Sequence, residues 1–183
     1  MEENNKVLIK TCNFRDVNPI MVDLPYPEIR VQEKNTSYAH MLSQDYAGAV
    51  SELTAIAQYI SSENRMSYEK CPFAKTIVGI AMAEMIHLQK LGELIYLLGG
   101  NVEFCVKQRN GSSRFWTAQY VNCPQSPREI LRVNIESEKA AINQYRMHVN
   151  AIKDGYINAV LERIIQDEEY HIMILQMMMG NEH

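Results

Sequence analysis

The apolar positions of this chain change their period along its length. From Thr36 to about Ser62, Met41, Leu42, Ala49, Leu53, Ile56 and Ile60 recur at spacings near three and four, the signature of one helix face. Asn64 to Cys71 is a short connection. Pro72 suits the first turn of a second helix, which the spacing carries to Leu98 before Gly99-Gly100 stops it. That helix is rich in Ala, Ile, Leu and Met on nearly every side, which predicts heavy burial. Ser126 and Pro127 read as N-cap and first-turn residue of a third helix. Asp154-Gly155 divides it from a fourth, which ends near Gly180. Between Gly99 and Ser126 the texture differs: N-V-E-F-C-V and R-F-W-T-A-Q-Y-V are strand-like, and R-N-G-S-S is a turn. Residues 1–34 are broken by Pro19, Pro25 and Pro27 and read as an extended N-terminal arm lying along the domain. The prediction is an all-α domain over residues 35–183. It is a four-helix bundle of two antiparallel helical hairpins, joined by a long crossover at 99–126.

An internal repeat adds chemistry to this pattern. The first helix contains Ser51-Glu52-Leu53-Thr54-Ala55-Ile56-Ala57-Gln58-Tyr59, and the third contains Ser137-Glu138-Lys139-Ala140-Ala141-Ile142-Asn143-Gln144-Tyr145. The shared frame is S-E-x-x-A-I-x-Q-Y. The second helix carries Glu84-x-x-His87 and the fourth Glu168-x-x-His171, in the same order and at nearly the same offset. Residues three apart on a helix share a face, so each Glu/His pair can reach one metal ion. A single E-x-x-H is an ordinary coincidence in a chain with five His. Two of them, each following a copy of the longer motif, are not. Four glutamates facing one another in a bundle core are costly unless cations balance them, and two divalent metals do so. The candidate ligands are therefore Glu52, Glu84, His87, Glu138, Glu168 and His171, with Glu84 and Glu168 as the bridging pair.

Neighbouring residues sort by the same geometry. Glu136 lies about 200° around the helix from Glu138, and the repeat aligns it with Val50, so Glu138 is selected for the core. Asp167 and Glu169 have no His three residues later and are read as solvated. Tyr59 and Tyr145, two turns beyond Glu52 and Glu138, are either core tyrosines or hydrogen-bond donors to ligands from a facing helix. His40, His148 and His183 are read as structural or exposed, and Met177-Met178-Met179 as packing or an oligomer contact.

Composition removes other classes. The net charge of −4 shows no basic surplus of the kind nucleic acid requires. No apolar run reaches the ~18–20 residues of a membrane span. The acidic, polar start Met1-Glu2-Glu3-Asn4-Asn5-Lys6 lacks a basic region before an apolar stretch, so a cytoplasmic location is expected. Cys12, Cys71, Cys105 and Cys123 form no C-x-x-C pair. They are read as reduced, mostly buried thiols, with a redox pair of Cys105 and Cys123 as the alternative.

On Glu52, Glu84-x-x-His87, Glu138 and Glu168-x-x-His171, supported by Tyr59 and Tyr145, the sequence resembles the ferritin-like superfamily: bacterioferritins, rubrerythrins and manganese catalases, including spore-coat relatives. The resemblance covers about residues 36–180. It implies two iron or manganese ions per subunit that react with hydrogen peroxide or dioxygen, and a homo-oligomer of at least two chains. The 183 residues carry no rubredoxin-type module and no G-x-G-x-x-G loop. Peroxide disproportionation, which needs no outside electrons, is therefore expected, with manganese ahead of iron. Peroxidase chemistry fed by an external electron donor is the close alternative. A bacterioferritin-like ferroxidase for iron storage and a structural coat protein with a stapling metal are the others.

Overall fold

The computed structural model describes residues 14–67, 71–107 and 111–180, with the Cys71 side chain left out. Cys12, His183, the Cys71 thiol and part of the R-N-G-S-S turn lie outside the described residues. The long helices are α1 (Thr36–Ala47), α2 (Glu52–Met66), α3 (Cys71–Leu97), α4 (Pro127–Ala151) and α5 (Gly155–Gly180). α2 packs along α3 and α4 along α5, giving the two helical hairpins of a ferritin-like four-helix bundle. No helix among the described residues is long and apolar enough to cross a membrane.

One predicted helix is two. The chain leaves helical geometry at Gly48, whose N–H still bonds to Gln44 O at 2.9 Å. It restarts at Ser51, whose Oγ accepts from Thr54 N–H at 3.2 Å and donates to Gly48 O at 2.8 Å. The apolar spacing runs through the break, although in α2 the buried residues include Glu52, Thr54, Gln58 and Tyr59 rather than the apolar positions Leu53, Ile56 and Ile60. Capping chemistry, not periodicity, places the boundary. As a result Glu52 is the first residue of α2, at the positive end of its helix dipole.

The crossover leaves α3 through Gly99 at φ +84°, with Gly100 N–H on Ile95 O and Gly99 N–H on Tyr96 O, the paired bonds of a Schellman turn. It then forms an antiparallel hairpin, β1 (Cys105–Lys107) and β2 (Ser113–Phe115), and a short 3₁₀ turn at Ala118–Tyr120. Two ties hold it against α2. Trp116 Nε1 donates to Thr54 Oγ1 at 2.9 Å. Gln58 accepts from Asn122 N–H at 2.7 Å and donates to Asn122 O at 2.9 Å. Cys105 is buried and Cys123 exposed, and both thiols are free, so the two do not form a pair.

Residues 14–35 contain no helix or strand and lie across α3 and α5. Ile20 N–H bonds to Gly79 O at 2.9 Å in the middle of α3. A Cβ on Gly79 would meet Ile20 Cγ1 at 2.8 Å, so glycine is what lets the arm seat there. The core is divided. One apolar cluster holds Leu42, Leu91, Leu94, Ile142, Leu161 and Ile164. Another holds Tyr59, Ile77, Ile80, Leu131, Ile135 and Leu175. Along α3, α4 and α5 the candidate ligands fall between the two.

Candidate metal centre

Each candidate ligand is fully or almost fully buried: Glu52 2%, Glu84 1%, His87 0%, Glu138 3%, Glu168 1% and His171 0% exposed. They fall into two sets. In one, ligand atoms of Glu52, Glu84, His87 and Glu168 all lie within 4.8 Å of one another; in the other, those of Glu84, Glu138, Glu168 and His171 do so. Glu84 and Glu168 belong to both. His87 Nδ1 faces Glu84 Oε2 at 2.9 Å, Glu168 Oε1 at 3.2 Å and Glu52 Oε2 at 3.4 Å. His171 Nδ1 faces Glu168 Oε2 at 3.0 Å, Glu84 Oε1 at 3.3 Å and Glu138 Oε1 at 3.6 Å. The internal repeat has become a pseudo-two-fold arrangement, with the imidazoles stacked at 6.1 Å between centroids.

The outer nitrogen of each imidazole is engaged elsewhere. His171 Nε2 donates to Ile20 O at 2.7 Å. A carbonyl only accepts, so Nε2 carries the hydrogen and the neutral ring turns the Nδ1 lone pair to the glutamates. His87 Nε2 meets Asp167 Oδ2 at 3.2 Å. A lone pair facing three carboxylates is repulsive unless a cation or proton lies between. The same need shows in Glu52 Oε2 and Glu84 Oε1, buried oxygens with no hydrogen-bond partner. Oxygen and imidazole donors of this number suit iron or manganese, so the residues fit a metal pair.

Electrostatics agree. Burial, followed by the charges of neighbouring glutamates, pushes Glu52 and Glu138 well above the usual carboxylate range. For Glu84 burial acts upward too, but His171 and His87 outweigh it and hold the carboxyl low. Burial acts downward on His87 and His171, yet the surrounding carboxylates raise both. Tyr59 Oη donates to Glu138 Oε1 and Tyr145 Oη to Glu52 Oε1, each crossing between α2 and α4. Burial and those glutamates push both phenols up, so they stay protonated and act as fixed donors.

Glu136 is exposed and pairs with Lys139, while Glu138 faces the centre. Glu169 is exposed and pairs with Arg146. His148 is buried on Asp45 at 2.7 Å, a pair outside the two ligand sets, and His40 is exposed. Asp167 corrects the sequence reading. It is not solvated but fully buried, bonded to His87, to Arg163 Nη1 at 2.7 Å, to Tyr26 Oη at 2.8 Å and to Val22 N–H at 2.8 Å. Burial acts upward on it, but the bonds from His87 and Arg163 take it down to about 2. A signal existed: Ile164 and His171 lie three before and four after it, so Asp167 shares their inward face. Replacing Asp167 by Asn strips a buried arginine of its counter-charge and is expected to cost about 3 kcal/mol of stability. Denaturant unfolding checks this, and a wild-type midpoint would count against the network.

The fold, with the family model that matches the chain, makes it a member of the ferritin-like superfamily. Within it, the family model for rubrerythrin matches residues 46–179, and the chain belongs to that family. It is 27% identical over 161 residues to a probable manganese catalase of Clostridium acetobutylicum, covering 79% of this chain and 71% of that one. Among solved structures it resembles a manganese catalase from Anabaena, with TM-score 0.72 and 24% identity, covering 86% of this chain and 78% of that one. It also resembles the bacterioferritin of Rhodobacter capsulatus, with TM-score 0.66 and 21% identity, covering 81% and 87%. The last two likenesses concern the fold.

Proposed function

We propose that this protein holds two manganese or iron ions, manganese for preference, and disproportionates hydrogen peroxide to oxygen and water. The observation that carries the reading is the pair of buried ligand sets sharing Glu84 and Glu168. Glu52 and His87 would serve one ion, Glu138 and His171 the other, and Glu84 and Glu168 both. When bound, the metal pair supplies a two-electron redox reservoir and Lewis acidity. The likeness to a probable manganese catalase supports both the metal and the substrate.

The chain's own residues do the positioning. Tyr145 holds Glu52 by Oε1, so the unpartnered Oε2 faces His87 Nδ1. Ile20 O and Asp167 fix the imidazoles in the orientation that aims Nδ1 inward. The flanking apolar clusters keep bulk water from both ends of the ligand layer. In the reaction one peroxide loses two electrons and two protons and leaves as oxygen, and a second gains them and leaves as two waters. The exposed Phe104 and Phe115 of the crossover hairpin support self-association as a homo-oligomer.

The test is oxygen evolution from peroxide by protein of known metal content, with and without an added reductant. Oxygen release without reductant is expected. Peroxide loss that requires the reductant and releases no oxygen would replace this reading by a peroxidase fed from an external donor. No peroxide loss in either arm would leave iron handling or a stapling metal.

A further inference from the structure

The four carboxylates form one wall of a cavity of about 330 Å³ that opens between α2 and α4. Hydrogen peroxide and metal ions have no apolar surface that benefits from burial against hydrocarbon, yet most of this cavity's lining is apolar. Its volume reaches the lower end of the ~300–1,000 Å³ typical of organic-ligand pockets. The lining follows from the internal repeat. Ala55 and Ala141 stand one turn beyond Glu52 and Glu138, on the same helix faces, and both line the cavity. The serines that open each copy, Ser51 and Ser137, line it too. Small residues at all four positions leave the space between α2 and α4 unfilled. The seam is closed instead by the polar crossings of Tyr59 to Glu138 and Tyr145 to Glu52. Tyr120, on the crossover that Gln58 ties down, and Arg132, Asn134 and Glu136 of α4 also line it.

From this juxtaposition we infer that the centre has a second substrate class, small alkyl hydroperoxides, whose alkyl group rests on Ala55 and Ala141 while the peroxide end faces the glutamates. The inference rests on the peroxide reading of the same site. The chemistry balances with hydrogen peroxide as the reductant. The O–O bond of the alkyl hydroperoxide breaks as it takes up two electrons and two protons, giving one alcohol and one water. One hydrogen peroxide supplies those electrons and protons and leaves as oxygen.

The test uses metal-loaded protein with hydrogen peroxide and tert-butyl hydroperoxide together, measuring tert-butanol and oxygen. In a parallel arm, saturation-transfer NMR follows tert-butanol, the unreactive product, on the protein. Wild type is expected to form tert-butanol and to show transfer from protein to its methyl groups. Ala141→Leu and Ala55→Leu, with metal content measured beside wild type, should each lower the ratio of tert-butanol to oxygen by about tenfold or more, since pocket filling discriminates on that scale. Hydrogen peroxide consumed with no tert-butanol formed would overturn the inference, as would an unchanged ratio in both variants. Should hydrogen peroxide not be turned over at all, the peroxide reading fails separately. The NMR arm still decides the pocket: transfer in wild type that is lost in the leucine variants supports it, and no transfer in wild type refutes it. If the variants do not fold, the two wild-type arms carry the decision.

Discussion

Replacing Glu84 by alanine is expected to strip the centre of both metal ions, whereas replacing Glu138 by alanine should remove one. The difference follows from membership: Glu84 belongs to both ligand sets and Glu138 to one. Glu84 Oε2 lies 2.9 Å from His87 Nδ1, and Oε1 lies 3.3 Å from His171 Nδ1, so one side chain faces both imidazoles. Oε1 is also a buried oxygen with no hydrogen-bond partner. Metal analysis of the purified variants checks this. Oxygen release from peroxide by Glu84→Ala should fall by more than about a hundredfold, beyond the loss caused by removing an outer partner of a ligand. A Glu84→Ala protein with wild-type metal content would sink the shared-ligand assignment. Equal losses in the two variants would show that the ions bind only as a unit.

How much of this was legible depended on the range of the interaction. Glu84 with His87 and Glu168 with His171 are pairs three residues apart, and helix geometry alone puts each pair on one face. Glu138 could be told from Glu136 because the repeat offered Glu52 and Val50 as counterparts. Nothing of that kind marked the arm. Ile20 O meets His171, and Val22 N–H and Tyr26 Oη meet Asp167, between segments far apart in sequence. An extended segment carries no helical period to announce its neighbours, and a backbone carbonyl carries no residue identity at all. The break between α1 and α2 was hidden differently. The apolar spacing continues across Gly48 to Ser51, and only the cap bonds of Ser51 and Thr54 reveal the interruption. The arm is therefore where the sequence reading was thinnest, although it supplies one of the two groups that orient the imidazoles.

Removing the metals should reverse the pH dependence of stability. With each ion at ~1,000 times its dissociation constant, binding adds about 4 kcal/mol per ion to the folded state, so a chelator-stripped protein should unfold at a much lower temperature. Stripping also leaves protons as the only counter-charges in the ligand layer. His87 and His171 are raised above the ordinary 6.5, burial acting downward and the carboxylates overcoming it. Glu52 and Glu138 are raised above the ordinary 4.5 by burial and by one another's neighbours. A group whose folded pKa is raised contributes stability that is fully present below its unfolded pKa and is lost as pH climbs through the folded value. Between 6.5 and the raised histidine values the unfolded chain holds fewer protons than the folded one, so the stripped protein should weaken as pH rises. The loaded protein should do the opposite on the acid side, because its ligands must be deprotonated to hold metal, and acid displaces the ions. The same exchange predicts that adding metal to stripped protein at neutral pH releases protons, which a pH indicator in weak buffer can count. Thermal unfolding of both forms across neutral pH is the decisive measurement. A stripped protein that gains stability as pH rises above neutrality, or metal uptake without proton release, would mean that protons do not replace the metals in this layer.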